Sequence, residues 1–207
     1  MNGGAGQGSA KKPSNAKPTS GGKHGKRVLK KPKNQDIINL KPNAMNSLSI
    51  DAINIHSPYI VGFDGRAFSF TTDNGITYRA DFELDYNPFF TAYWFNLANP
   101  EHIKSPNDAK IGQTVICIIE EFFRTNPDVL LYMCSIEKGQ QAQRARLFLR
   151  WFNKYEQQQK YAIKSAEVKG DGYQEYVALI VQRNHPKFEE VLFRFDEEIA
   201  MFNDNKP

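Results

Sequence analysis

The sequence predicts a mixed α/β domain: a three-stranded meander, then the order α-β-α-β-β-α, all around one mixed sheet. Three observations carry this expectation. Two runs of alternating apolar residues flank Asp73-Asn74-Gly75. The continuous apolar run "DVLLYMCS" is bracketed by two stretches of helical periodicity. A second pair of β-rich runs, "KYAIKSAEVKG" and "YQEYVALIVQR", precedes a last helical stretch. Strands at both ends, with one strand between two helices, fit a mixed sheet that is neither doubly wound nor a barrel.

Each element has its own signal. Asn-Gly between alternating Phe68, Phe70 and then Ile76, Tyr78, Ala80, Phe82 and Leu84 is a hairpin. "FFTAYWFNLA" supplies the third strand, with Tyr93 and Phe95 on one face and Trp94 on the other. Ile111, Val115, Ile118, Ile119 and Phe122 recur at helical spacing, so one side of that helix is apolar. Asp108 is placed to cap the helix and Asn126-Pro127 to end it. "DVLLYMCS" reads as a strand buried on both faces. In "GQQAQRARLFLRWFNKYEQ" the stripe Ala145, Phe148, Trp151, Phe152 and Tyr155 faces inward, and Arg146, Arg150 and Lys154 face water. After Pro186, the residues Phe188, Val191, Leu192, Phe195 and Ile199 form the inward side of a last helix.

Charge divides the chain differently. Residues 1–35 carry nine cations (Lys11, Lys12, Lys17, Lys23, Lys26, Arg27, Lys30, Lys31, Lys33) and no carboxylate, so the formal charge of +4 belongs to this segment. The first aromatic residue is Tyr59. A Gly-, Ser-, Asn-, Pro- and Lys-rich stretch without aromatics buries too little apolar surface to offset its ordering entropy. Residues 1–50 are therefore expected to be a disordered basic arm, and 51–207 one mixed α/β domain. The domain pattern makes sense from Met45. That leaves 1–44 open to three readings: an upstream or added extension, a solubilising or weakly anion-binding arm, or an arm for nucleic acid or an acidic protein.

No apolar run approaches the ~20 residues of a membrane helix, and no apolar segment follows the basic stretch as in a secretory signal. Cys117 and Cys134 lie in apolar stretches and read as buried thiols of a reducing cytoplasm. Neither stands at metal-ligand spacing with His24, His56, His102 or His185, so no metal is expected.

Two places are candidates for ligands. In "NDAKIGQ" the turn is either a cap, with Asp108 at the helix start and Gly112 letting the helix approach the sheet, or an anion site of Lys110, Gly112 and Gln113. In "CSIEKGQQAQRAR", past the carboxyl end of the most buried strand, Lys138, Gly139, Gln140, Gln141 and Arg144 are candidates for a phosphate or carboxylate. The alternatives there are a plain strand-to-helix loop, or a basic face of Arg144, Arg146 and Arg150 for RNA or an acidic protein. Glu120-Glu121 and Glu189-Glu190 are adjacent on helices and point apart, so they read as solvated faces rather than acid/base pairs. Catalytic residues are not expected among them. Tyr93 and Tyr132 read as core.

The order of elements over about 66–183 resembles the later part of the GNAT N-acetyltransferase fold. In that family the turn before the first of these helices, Gln/Arg-x-x-Gly-x-Gly/Ala, binds the pyrophosphate of acyl-CoA. Here Asn107-Asp108-Ala109-Lys110-Ile111-Gly112 keeps the last glycine, and Lys110 stands in place of the first. The family's Asn-Ala-x-x-x-x-Leu-Tyr corresponds to Gln141-Ala142-Gln143-Arg144-Ala145-Arg146-Leu147-Phe148. The resemblance implies a tyrosine that protonates the leaving thiolate, and Phe148 has no hydroxyl to do so. An enzyme of that family would splay "DVLLYMC" from the preceding strand. "FFRTNPDVLLYMCSIEKGQQAQRARLFLRWF" and "YVALIVQRNHP" also resemble a family of short uncharacterised bacterial proteins, a domain of unknown function. The expectation is a cytoplasmic, non-catalytic ligand- or partner-binding module with a degenerate acetyltransferase-like fold and no cofactor. The alternatives are a divergent acyl-CoA-dependent N-acyltransferase, which would use acetyl-CoA, and a nucleic-acid-associated protein that uses its arm.

Overall fold

The computed structural model describes residues 45–104, 106–134, 141–154, 157–170 and 173–204. The chain divides into two units, Met1–Lys41 and Pro42–Pro207, and every described residue lies in the second. The arm cations Lys11, Lys12, Lys26, Arg27, Lys30, Lys31 and Lys33 fall outside the described residues.

Helix α1 (Ile50–His56) leads into strands β1 (Gly62–Phe63), β2 (Phe68–Thr71), β3 (Thr77–Asp85) and β4 (Ala92–Ala98). Then come α2 (Ala109–Thr125), β5 (Val129–Cys134), α3 (Gln141–Lys154), one turn of 3₁₀ helix (Gln157–Gln159), β6 (Tyr161–Gly170), β7 (Tyr173–Gln182) and α4 (Phe188–Asp204). The strands form one seven-stranded sheet in the order β1-β2-β3-β4-β5-β7-β6. β4 and β5 run parallel, and the other neighbours run antiparallel. The mixed α/β expectation therefore holds at the level of fold class. No helix among the described residues is long and apolar enough to cross a membrane.

The pleat explains the two cores. Tyr93, Phe95, Leu130 and Tyr132 point to one side of the sheet, where they meet Ile118, Phe122, Phe148 and Phe152 of α2 and α3. Ala92, Val129, Leu131, Leu179 and Val181 point to the other side, under Val191 and Phe195 of α4. β5 is thus buried on both faces through Tyr132, while Met133 is 41% exposed. The Asn74-Gly75 turn forms as its sequence requires. Gly75 sits at φ 74°, and its N–H donates to the Thr72 carbonyl at 2.9 Å.

Three expectations need correction. The meander has four strands, because Gly62–Phe63 adds a two-residue β1 whose only definition is its pairing with β2. The sequence pattern does not predict helix α1: seven residues are too few for periodicity to show, and too few to stand alone in water. It forms because Ser49 caps it, accepting from Ala52 N–H, and because Ile53 is buried. Finally, residue 50 does not divide arm from domain. Leu48 is buried, Asn46 N–H donates to Asn126 Oδ1 at 2.7 Å, and Ser49 N–H donates to Glu121 Oε1 at 2.8 Å. Residues 45–50 are anchored on α2.

Candidate functional site

The start of α2 is where the sequence poses its question. Asp108 is the N-cap, in an extended conformation, and its Oδ1 accepts from Lys110 N–H at 2.8 Å. Its other oxygen is also engaged: the Tyr59 hydroxyl donates to Oδ2 at 2.5 Å. The same hydroxyl accepts from Asp73 N–H at 3.3 Å. Asp73, in the β2–β3 turn, pairs with Lys110 Nζ at 2.7 Å, and that ammonium lies 5.5 Å from the centre of the Tyr59 ring. Asp108, Tyr59, Asp73 and Lys110 thus close a ring. It joins the start of α2, the link ahead of β1 and the hairpin turn.

Each member of the ring is held by its own element. Tyr59 is buried and stacks on Phe70 of β2 at 6.0 Å. The turn that carries Asp73 is fixed by Thr72, whose N–H and Oγ1 bond the carbonyl and the N–H of Ile76. Burial, and then the Asp108 hydrogen bond, push the Tyr59 phenol above its ordinary range. The hydrogen bond from Lys110 lowers Asp73, and the same bond raises Lys110. At neutral pH the phenol is a hydrogen-bond donor and the pair is fully charged.

Gly112 has a different partner from the one expected. A Cβ built on it would lie 2.4 Å from Trp151 Cδ1, so the glycine allows α2 to approach α3 rather than the sheet. The indole occupies the space that a side chain at position 112 would need. Gln113 is half-buried. At the second candidate place, Lys138, Gly139 and Gln140 lie outside the described residues. Gln141 and Arg144 belong to α3, and nothing is described of their side chains. Arg146 and Arg150 are exposed, as expected.

Phe148 is sealed in the core, with its ring stacked on Tyr132 at 3.9 Å and 15°. The parallel pairing of β4 and β5 runs from Ala92↔Val129 to Phe95↔Tyr132. Past that point both strands continue, to Ala98 and Cys134, without further pairing between them among the described residues. Burial, and to a lesser extent the Glu120 charge, raise the Cys117 thiol to about 11, so it is an inert thiol at neutral pH. Among the described residues no group of His, Cys, Asp and Glu is arranged to hold a metal.

Sequence reasoning missed the far end of α2. The sequence pattern makes Glu121 a solvated residue, yet its side chain is 4% exposed. It accepts from Arg124 Nε at 2.6 Å and Nη2 at 2.8 Å as well as from Ser49 N–H. The hydrogen bonds from Arg124, above all, hold its carboxyl below the usual range. Nothing in the local pattern separates Glu121 from Glu120. The only available signal is its place one turn before the helix stop, on the side of Phe122 and Ile118.

Residues 107–197 match a family of unknown function (DUF6169). No curated protein and no solved structure matches the chain. The matched span begins at the capped turn and runs through α2, β5, α3, the β6–β7 hairpin and the first half of α4. Tyr59 and Asp73 of the ring, and the Ser49 anchor, lie ahead of it.

Proposed function

We propose that the domain is a non-catalytic ligand- or partner-binding module on a degenerate acetyltransferase-like scaffold. The observation that carries this reading is the closed ring at the start of α2. A pyrophosphate at that turn needs exposed backbone donors and free positive charge. Here Asp108 takes the Lys110 N–H, Asp73 takes the Lys110 ammonium, and Trp151 covers Gly112. A helix terminus contributes ~0.3–1 kcal/mol at an exposed site. Micromolar binding needs about −8 kcal/mol. Phe148, in place of a proton donor, points the same way.

Calorimetric titration of the full chain with acetyl-CoA tests the proposal. The expected result is no saturable heat at micromolar ligand. One-to-one binding at low micromolar affinity, lost in Lys110→Glu, would overturn it. A second reading, a divergent acyl-CoA-dependent N-acyltransferase, is favoured by one observation: β4 and β5 are parallel and stop pairing after Phe95 and Tyr132. A ligand entering between the strand ends there would satisfy the backbone groups that the pairing leaves. Acetyl-CoA belongs to that reading alone.

A further inference from the structure

Helix α4 turns Phe188, Val191, Leu192, Phe195 and Ile199 toward the sheet. Helical spacing puts Phe193, Glu197, Ala200, Met201 and Asp204 on the opposite side, with Glu189 and Glu190 in the turn before. Two large apolar side chains stand on that outer face: Phe193 is 57% exposed and Met201 55%. They are about 12 Å apart along the axis, the spacing of two knobs on one helix stripe. Among the described residues, packing within the domain covers neither of them fully.

One end of this face is held in place. The Arg194 guanidinium lies 4.1 Å from the centre of the Phe89 ring and 5.8 Å from that of Phe193, and Arg194 Nη1 donates to Glu197 Oε2 at 2.7 Å. The loop that carries Phe89 is tied to α4 in turn. Asn87 Nδ2 donates to Glu198 Oε1 at 2.9 Å, and Lys187 Nζ donates to the Phe89 carbonyl at 3.3 Å. Aromatic, Met and Arg side chains on a rigid support are what interface centres are made of.

We propose that the outer face of α4 docks a basic amphipathic helix of a partner protein. This deepens the partner-binding reading above and rests on it. Charge selects the occupant. α4 carries six carboxylates and one cation, Arg194. Glu189, Glu190, Glu197 and Asp204 frame Phe193 and Met201, with Lys187 and Arg194 partly neutralising Glu190 and Glu197. A second copy crossing antiparallel about Glu197 would bring Phe193 to Met201. It would also set Glu197 against Glu197 and Glu190 against Asp204, so like charges oppose it. Nucleic acid and anionic lipid are repelled outright. A helix with Lys or Arg beside leucine-like residues answers both the apolar pair and its frame.

The test uses a fluorescein-labelled peptide with leucine and lysine at amphipathic helical spacing, titrated into the full chain at physiological salt. Micromolar binding is expected. Phe193→Ser with Met201→Ser should weaken it about tenfold or more, and Glu189→Gln with Asp204→Asn should flatten its salt dependence. Both double variants should keep the parent melting temperature, because these side chains face out. Absence of peptide binding, or binding unchanged in the Phe193/Met201 variant, would sink the proposal. So would sedimentation showing a dimer of the chain that this variant disperses, because the occupant would then be a second copy. Tight acetyl-CoA binding would remove the functional reading above and leave the peptide result standing, so the two failures are distinguishable.

Discussion

Both ends of α2 are tied by a carboxylate to the segment that precedes β1, yet the two ties differ in kind. At the start, Asp108 receives the Tyr59 hydroxyl, and the ring is completed by Asp73 and Lys110, whose side chains are 68% and 51% exposed. At the end, Glu121 is out of water and receives Ser49 N–H and both arms of Arg124. Exposed pairs are screened and contribute little; a buried acceptor with several donors is costly to remove. The start of α2 is therefore oriented by polar contacts but held by Trp151 on Gly112. The polar contacts at the end hold it directly.

This contrast can be broken from the largest effect to the smallest. Phe148→Ala removes the ring between Tyr132, Phe95, Phe152 and Trp151, and should cost roughly 3–5 kcal/mol in urea unfolding. Hydrogen exchange should then quicken near Gly112, which Trp151 covers, more than near Thr125. Equal quickening at both ends would mean that the two are not held separately. Gly112→Ala pushes a methyl into the indole and should cost about 1–3 kcal/mol despite alanine's better helix propensity. Trp151→Leu in the same chain should return part of that loss, and simple additivity of the two would show that the contact does not matter.

Glu121→Gln should cost about 1–3 kcal/mol, because one amide cannot accept all three donors. The cost has a pH signature. A carboxyl held below its ordinary value of 4.5 stabilises fully above that value and loses its contribution as pH falls through the depressed one. The gap between parent and variant should thus be constant at neutral pH and shrink on acidification below about pH 4.5. A gap that widened in acid would reverse the assignment. The smallest effect belongs to the exposed pair. Asp73→Ala and Lys110→Ala should leave the melting temperature unchanged at physiological salt, and a clear drop in either would promote the ring from an orienting device to a structural one.

The parts of this domain that could be read from sequence are those written in local periodicity. The Asn74-Gly75 hairpin, the apolar stripe of α2 and the doubly buried β5 each carry their signal within one stretch, and so do the Asp108 and Asn126 ends of α2. The rest depends on partners far along the chain. Tyr59 reaches Asp108 across 49 positions, and Ser49 reaches Glu121 across 72. Gly112 is the size it is because of Trp151, on another helix. Glu120 and Glu121 look alike in sequence and differ only by which side of α2 the fold covers. Helix α1 is visible only once there is a surface for Ile53 to bury against. Of the candidate site, the cap was legible as one of two outcomes. The ring that occupies the turn was not, since its hydroxyl and one of its carboxylates come from segments with no anion-binding pattern.

The parallel pairing of β4 with β5 also bears on how the chain folds. The β2–β3 and β6–β7 hairpins close over short turns, so their contacts cost little chain entropy. β5 reaches β4 only through the long crossover that contains α2, and it pairs with β7 on its other edge. It is the seam where an N-terminal and a C-terminal half meet. The rate of folding is expected to follow substitutions in Leu130 and Leu131 more closely than those in either hairpin, because pairing across the crossover closes the longer loop.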